Sequence, residues 1–156
     1  MQFDPTLDLE LTRLLDAPPE KVWRCWTDAR LFCQWWTPKP VITREVIMDF
    51  RAGGRFYSLM VLPDGTEMPS DGCFLEVVPG RKVAFTDLFM ADWQPTPQPG
   101  LGFAAVITME PEGQGTRYIA RARHRKPEER AAHEDMGFHQ GWGTAVTQLA
   151  TLAATI

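Results

Sequence analysis

The residue types best able to do chemistry lie together near the end of the chain. They are His133, Glu134 and Asp135, followed by His139. A histidine or a carboxylate inside an apolar cavity can act as a general acid or base, and burial raises the pKa of such a carboxylate. Helical spacing places Glu134 and Asp135 beside an apolar stripe and His139 at its edge. His139, Glu134 and Asp135 are therefore weak catalytic candidates, although a histidine at a helix edge more often has a structural role.

No sequence motif in the chain identifies a specific reaction. The run from His133 to Gly137 has the length of the zinc-protease HExxH motif, but Gly137 stands where the second histidine is required. The chain also lacks a serine nucleophile elbow, a phosphate-binding loop and a dinucleotide-binding fingerprint. We therefore expect no metal and no cofactor. The absence of a catalytic template favours a protein that is not an enzyme, without excluding one.

The composition limits the classes of partner. A chain of 156 residues fits one domain spanning residues 1–156, with 44% hydrophobic and 23% charged residues. Six Trp and nine Phe against two Tyr suit an apolar core or cavity. The net charge of −4 argues against a nucleic-acid partner. Strand alternation places Arg117, Arg121 and Arg123 on one side of a strand, which favours a solvated face.

The cysteines and the chain start bear on location. Cys25, Cys33 and Cys73 show no metal-ligand spacing, and reduced cysteines of a cytoplasmic protein are the simplest interpretation. The first residues show no signal-peptide pattern, and no apolar run is long enough to cross a bilayer. We expect a cytoplasmic protein without membrane insertion.

The elements that must position these residues are mainly strands. Alternating residues from Leu7 to Thr12 predict a first strand, and Pro18-Pro19 then begins two short helices that end before Pro38. Turn signals divide the middle of the chain into an antiparallel meander, and they lie at Arg51–Gly54, Pro63–Gly65, Pro79–Gly80 and Pro111–Gly113. The proline-rich stretch from Met90 to Gly100 is predicted to be a lid or rim loop.

One long helix is predicted from Pro127 to Ile156. Its apolar stripe contains Ala131, Phe138, Trp142, Ala145, Leu149 and Leu152. Gly137 and Gly141 lie on the shoulder of this stripe, where a strand or a bound molecule could approach the backbone. The element order predicts an α+β fold with about seven strands in a curved antiparallel sheet around the helix.

Several segments together resemble the activator-of-heat-shock-chaperone-ATPase (Aha) homologue family, a member of the START-like, polyketide-cyclase (SRPBCC) superfamily. The matching segments are Ala17 to Trp23, Trp26 to Asp28, Gln34 to Trp36, Asp49 to Gly54, Asp64-Gly65, Leu75 to Pro79, and His139 to Trp142 with Leu149. They cover nearly the whole chain in the family's order. The resemblance implies a helix-grip fold, in which a curved sheet holds the C-terminal helix around a hydrophobic cavity.

In such a fold, aromatic and apolar residues of the sheet, the second short helix and the long helix would line the cavity. The ligand-binding candidates are Trp36, Phe56, Met60, Phe85, Trp93, Phe103, Met109, Phe138, His139 and Trp142. Trp93 would be a lid residue and His139 a polar contact at the edge. Each of these residues could instead belong to a filled core.

Three functions remain open at this point. The first is the binding of a small apolar or amphipathic molecule in the cavity. The second is a cyclase-like or hydrolase-like enzyme that uses the same cavity. The third is a protein-interaction module or chaperone-ATPase co-regulator, which we disfavour because the eukaryotic chaperone activators carry a separate N-terminal domain that is missing here. A homodimer is compatible with the sequence, which gives no interface.

Overall fold

The computed structural model describes residues 1–156. Its main strands and helices follow the predicted order. The first part contains β1 (Asp8–Leu15), α1 (Pro19–Thr27), α2 (Ala29–Phe32), β2 (Ile42–Met48), β3 (Arg55–Val61), β4 (Glu67–Val78) and β5 (Lys82–Thr86). The second part contains the short β6 (Phe89–Met90) and β7 (Gln94–Pro95), then β8 (Phe103–Glu112), β9 (Gly115–His124), α3 (Pro127–Asp135) and α4 (Phe138–Thr155). The α+β helix-grip prediction is confirmed.

Seven strands form one antiparallel sheet in the order β1-β9-β8-β5-β4-β3-β2. Strands β2 to β5 and the pair β8–β9 follow one another through hairpins, as the turn signals predict. The first and last strands of the chain also pair, with Leu9 opposite Ala122. This pairing joins the two ends of the chain within one sheet.

The two short helices after β1 are also as predicted. Pro19 opens α1, where the missing N–H of proline costs nothing. The side chain of Asp28 caps α2, because its carboxylate accepts hydrogen bonds from the backbone N–H groups of Arg30 (2.9 Å) and Leu31 (3.4 Å). The second helix ends at Phe32, which is earlier than the sequence suggested.

The single long helix from Pro127 to Ile156 was a wrong prediction. This segment forms two helices, α3 and α4, and Gly137 separates them with a φ of +97°. The N–H of Gly137 donates to the carbonyl of Glu134 at 3.0 Å, which ends α3 in the left-handed form that glycine adopts without strain. Gly141 was expected to allow a close approach, but no atom lies within 4 Å of the position its Cβ would take.

The proline-rich stretch contains the small β6–β7 hairpin and a single 3-10 turn, Ala91–Trp93. The carboxylate of Asp87 closes the base of this loop. Its Oδ2 accepts backbone hydrogen bonds from Leu101 at 2.8 Å and Gly102 at 3.0 Å, and its Oδ1 accepts one from Phe103 at 3.0 Å. Asp87 therefore fixes where β8 begins.

The core lies between the inner face of the sheet and the helices. Buried indole groups in it are hydrogen-bonded. Trp26 Nε1 donates to the hydroxyl of Tyr118 at 3.1 Å, and Trp35 Nε1 donates to the carbonyl of Cys25 at 2.9 Å. These bonds hold α1 against β9 and orient the rings around them. The three cysteines form no disulfide bond.

The basic residues of β9 pair with acidic residues of β1. Arg121 donates to Glu10 at 2.7 Å, and Arg123 donates to Asp8 at 3.1 Å. The face is therefore charge-balanced but less solvated than predicted, because the side chain of Asp8 is completely buried and that of Arg121 is 15% exposed. None of the four α-helices has the length and apolar character that a membrane span requires.

Candidate functional site

Five rings form a continuous row between the inner face of the sheet and α4. We call Trp36, Phe56, Phe85, Phe103 and Trp142 the aromatic row. The centroid distances are 5.5 Å from Trp36 to Phe56, 4.9 Å from Phe56 to Phe85 and 6.4 Å from Phe85 to Phe103. Phe103 then lies 6.1 Å from Trp142. All five are residues that the sequence predicted for a cavity wall.

Strand register explains why the ring-bearing strand residues share a face. Phe85 on β5 lies opposite Ala105 on β8, and Ala105 lies opposite Ala122 on β9. Phe103 is two residues before Ala105, so its ring points to the same face. The alanines are too small to fill the space above the sheet, which leaves room for the rings and for α4.

Burial differs between the aromatic row and the rings behind it. Trp26 on α1 and Phe74 on β4 are fully buried at 0% exposure. Phe56 and Phe85 keep 7% of their surface exposed and Phe103 keeps 8%. The two tryptophans of the row are only half-buried. The rings of the row therefore keep a small exposed surface, whereas the rings behind it keep none.

The other predicted wall residues occupy different positions. Met109 (0% exposed) and Phe138 (1% exposed) are core residues, while Met60 is half-buried on β3. Trp93 is 48% exposed and lies against Gly53 in the turn after β2, where a Cβ would come within 2.8 Å of the indole nitrogen. Trp93 therefore packs on this turn and makes no ring contact with the aromatic row.

The acid–base candidates lie on the surface. His139 Nε2 and Glu134 Oε2 are 3.2 Å apart, with 48% and 41% of their side chains exposed. The hydrogen bond from His139 and the charge of Arg130 hold the pKa of Glu134 below its ordinary value. A raised carboxyl pKa was expected, and the expectation fails because Glu134 is exposed and paired. Asp135 is exposed as well.

A buried pair of histidines was missed by the sequence analysis. His124 Nδ1 lies 2.8 Å from the carbonyl of Leu7, and His124 Nε2 lies 2.9 Å from His133 Nδ1. The two residues, which we call the histidine pair, are 6% and 4% exposed. Strand alternation could have found one of them, because His124 follows Tyr118, Ala120 and Ala122 on the inward face of β9.

Aromatic rings surround the histidine pair. The ring centroids of Phe103, Phe138 and Trp142 lie 5.2, 5.3 and 5.9 Å from that of His133. Burial and, secondarily, the neighbouring His124 lower the pKa of His133 to about 4, against a weaker raising effect of Asp87. His133 is therefore neutral near pH 7. No group of three or more His, Cys, Asp or Glu residues is placed to hold a metal ion.

A surface depression of about 500 Å³ lies beside the C-terminal half of α4. Gln148 crosses its floor, because its Nε2 donates to the carbonyls of Trp35 at 3.0 Å and Thr37 at 2.8 Å. Its Oε1 accepts from the backbone N–H of Lys39 at 3.0 Å. These bonds use all the polar atoms of the amide group to fasten α4 to the segment after α2. None of the predicted ligand-binding residues lines this depression.

Comparison with known proteins supports the fold and the family. A protein of known structure from Nitrosomonas europaea is 40% identical, with a TM-score of 0.94 over 98% of this chain and 97% of that one. One from Mycobacterium smegmatis is 25% identical, with a TM-score of 0.80 over 99% and 96% of the two chains. The AHSA1 protein from Silicibacter pomeroyi is 26% identical, with a TM-score of 0.71 over 95% and 98%.

No protein of curated function matches the chain. The model of one protein family, Activator of Hsp90 ATPase homolog 1-like protein, matches residues 16–154. This range runs from the turn after β1 to the last turn of α4, and it includes every residue of the aromatic row and the histidine pair. The chain belongs to the family of Activator of Hsp90 ATPase homolog 1-like proteins.

Proposed function

We propose that the chain binds a small apolar or amphipathic molecule between the inner face of the sheet and α4, along the aromatic row. The observation that carries the proposal is the difference in burial between this row and the rings behind it. Aromatic walls with few polar groups are typical of small-molecule sites. The fold of the family is commonly a scaffold for ligand binding, which agrees with this position.

Catalysis is less well supported by the geometry. The exposed pair His139 and Glu134 lies outside the aromatic row, and Glu134 is held in its ionised form. The titratable groups that do contact the row are those of the histidine pair. An enzyme using this site would therefore depend on His124 and His133 for proton transfer.

Space filling tests the proposal directly. Ala145 lies on the inner face of α4 and keeps 8% of its surface exposed, so Ala145→Leu would fill the space next to the row. The matched control is Thr144→Leu, one residue earlier on the exposed face. Binding is followed with the amphipathic fluorophore anilinonaphthalene sulfonate. We expect Ala145→Leu to weaken binding at least tenfold and Thr144→Leu to leave it unchanged.

The stability of the two variants separates an open site from a filled core. If the space exists, Ala145→Leu unfolds at nearly the same urea concentration as the wild type. An overpacked core would instead lose about 1–3 kcal/mol. Such a loss, together with no fluorophore binding by the wild type, would refute the proposed function.

Native mass spectrometry of the purified protein addresses the natural ligand. We expect a mass excess that disappears on denaturation. Adding the recovered ligand back at a hundredfold excess over its Kd should stabilise the fold by about 2.7 kcal/mol. A ligand whose addition leaves the melting temperature unchanged is not bound by the native state.

A further inference from the structure

We infer that Nε2 of His133 is the polar end of the ligand site, an unprotonated acceptor that selects molecules with an apolar ring body and a hydroxyl group. This inference rests on the proposed function and specifies the ligand class. It follows from three features: the fixed tautomer of the histidine pair, the free nitrogen of His133, and the rings around that nitrogen.

When both rings are neutral, the hydrogen bonds set the tautomer of each ring. The carbonyl of Leu7 can only accept, so Nδ1 of His124 carries a proton. A neutral His124 then has a bare Nε2, and the 2.9 Å contact requires the Nδ1 of His133 to donate to it. A neutral His133 that is protonated on Nδ1 presents a lone pair on Nε2.

This lone pair has no partner within the chain. Thr96 Oγ1 is the one fully buried side-chain polar atom that lacks a hydrogen bond, so Nε2 of His133 is not sealed off. The aromatic rings in contact with the ring of His133, apart from that of His124, are Phe103, Phe138 and Trp142. The two phenylalanines carry no polar side-chain atom, and the indole N–H of Trp142 makes no hydrogen bond to His133.

Phe103 and Trp142 belong both to the aromatic row and to the surroundings of His133. A ligand lying along the row therefore has its end beside the ring of His133. A hydroxyl there donates to the lone pair, whereas an ether or a ketone offers only another lone pair. A carboxylate would place a negative charge against a neutral acceptor in an apolar wall. The geometry thus favours neutral phenols and cyclic alcohols.

A naphthol and the methyl ether of the same naphthol form a matched pair of probes. They share the ring body, but the ether carries a methyl group in place of the hydroxyl proton of the naphthol. By calorimetric titration, we expect the wild type to bind the naphthol about three- to tenfold more tightly than the ether, the usual net effect of one neutral hydrogen bond. His133→Phe should bind both probes equally, and the exposed-site control His139→Gln should behave as the wild type.

A ¹⁵N NMR measurement on the wild type tests the role of His133 even if the variant His133→Phe does not fold. The ring nitrogens of wild-type His133 are observed by ¹⁵N NMR. Before ligand is added, Nε2 should show the resonance of an unprotonated nitrogen. The resonance should move towards that of a hydrogen-bonded nitrogen with the naphthol and stay in place with the ether.

The outcomes distinguish this inference from the proposed function. Equal affinities of the wild type for the two probes, or an Nε2 resonance that ignores bound naphthol, would overturn the role of His133 while leaving the aromatic site intact. Binding of anilinonaphthalene sulfonate without binding of the naphthol or its methyl ether would overturn the proposed ligand class. Failure of all three probes would refute the proposed function itself.

Discussion

His133 differs from a histidine in water because its surroundings disfavour the charged form. The ring is 4% exposed and faces three aromatic side chains and a second histidine. Burial is the larger cause of its lowered pKa, and His124 adds to it. A group that stays neutral in the folded state but accepts a proton when unfolded links stability to pH.

This linkage predicts a loss of stability in acid. The pKa of His133 falls from 6.5 to about 4 on folding, so the unfolded state binds the proton more readily. The contribution of neutral His133 to the unfolding free energy is fully present above pH 6.5 and decreases as the pH falls towards 4. The loss reaches about 3 kcal/mol at pH 4, from 1.36 kcal/mol per pKa unit. Urea denaturation at pH 7 and pH 4.5 measures it.

The comparison variant for this prediction is His133→Gln, which has no titrating ring. Carboxylates elsewhere in the chain also contribute to acid sensitivity, but they do so equally in both proteins. The wild type should therefore lose more stability than the variant over the same pH interval. Equal losses would show that His133 is not shielded from solvent.

Asp87 gives a second prediction at the residue scale. Its carboxylate accepts three backbone hydrogen bonds, from Leu101, Gly102 and Phe103. Asp87→Asn replaces one accepting oxygen with an N–H₂ group that faces donors, so at least one of these bonds is lost. We expect a loss of about 1–3 kcal/mol in unfolding free energy, the cost of leaving a partly buried donor unpaired.

Hydrogen exchange locates the effect of Asp87→Asn. Faster exchange should be confined to the amides of residues 101–103 and the adjacent loop. Asp71→Asn is a suitable control, because Asp71 accepts only the side-chain bonds of Arg55 on the exposed sheet face. Exchange that accelerates uniformly in both variants would contradict the role given to Asp87.

At the scale of elements, the local sequence pattern predicts the strands and helices that are determined by residues close together in the chain. The seven strands of the main sheet follow alternation and turn residues, and the two short helices follow their prolines and the cap of Asp28. The β6–β7 hairpin lies in a stretch that was predicted to be a loop. The break before α4 was missed because a glycine inside a helical pattern is compatible either with a continuous helix or with a left-handed cap. Only the backbone angle of Gly137 distinguishes the two.

Two glycine substitutions test that distinction. Gly137→Ala forces a residue with a Cβ to adopt a φ of +97° and should destabilise the fold by about 1–2 kcal/mol. Gly141→Ala places a methyl group in open space within α4 and should stabilise the fold by up to about 1 kcal/mol. Thermal unfolding of both variants gives the two signs. Two effects of the same sign would mean that the helix is not interrupted as described.

The candidate site was predictable only where strand register decides the outcome. Phe56, Phe85 and Phe103, which the family resemblance suggested for the cavity wall, do share a face of the sheet. The pairing of His124 with His133 depends on how α3 crosses the end of β9, and no sequence spacing reports that crossing. Trp93 likewise depends on a loop with two non-glycine residues at positive φ, Asp92 and Trp93.

At the scale of the whole molecule, the aromatic interior divides into a sealed part, in which the rings have no exposed surface, and a second part, in which they keep some. Phe74 lies at the centre of the sealed part, stacked at 4.7 Å on Phe50 and 4.8 Å on Phe56. Trp142 belongs to the second part and is half-buried. Close packing in the first part stabilises the fold, and the second part is where we propose that a ligand binds.

This division predicts that stability and binding can be altered separately. Val22→Ala removes packing from a fully buried position on α1 that lies outside the aromatic row, so we expect it to cost about 1–3 kcal/mol and to leave fluorophore affinity within about twofold. Trp142→Phe changes the wall of the proposed site, so affinity should change several-fold while stability changes by less than about 1 kcal/mol. Urea denaturation and fluorophore titration of both variants measure the two quantities. If Val22→Ala weakened binding as much as Trp142→Phe did, the interior would behave as one continuous core, and the aromatic row could not be a separate site.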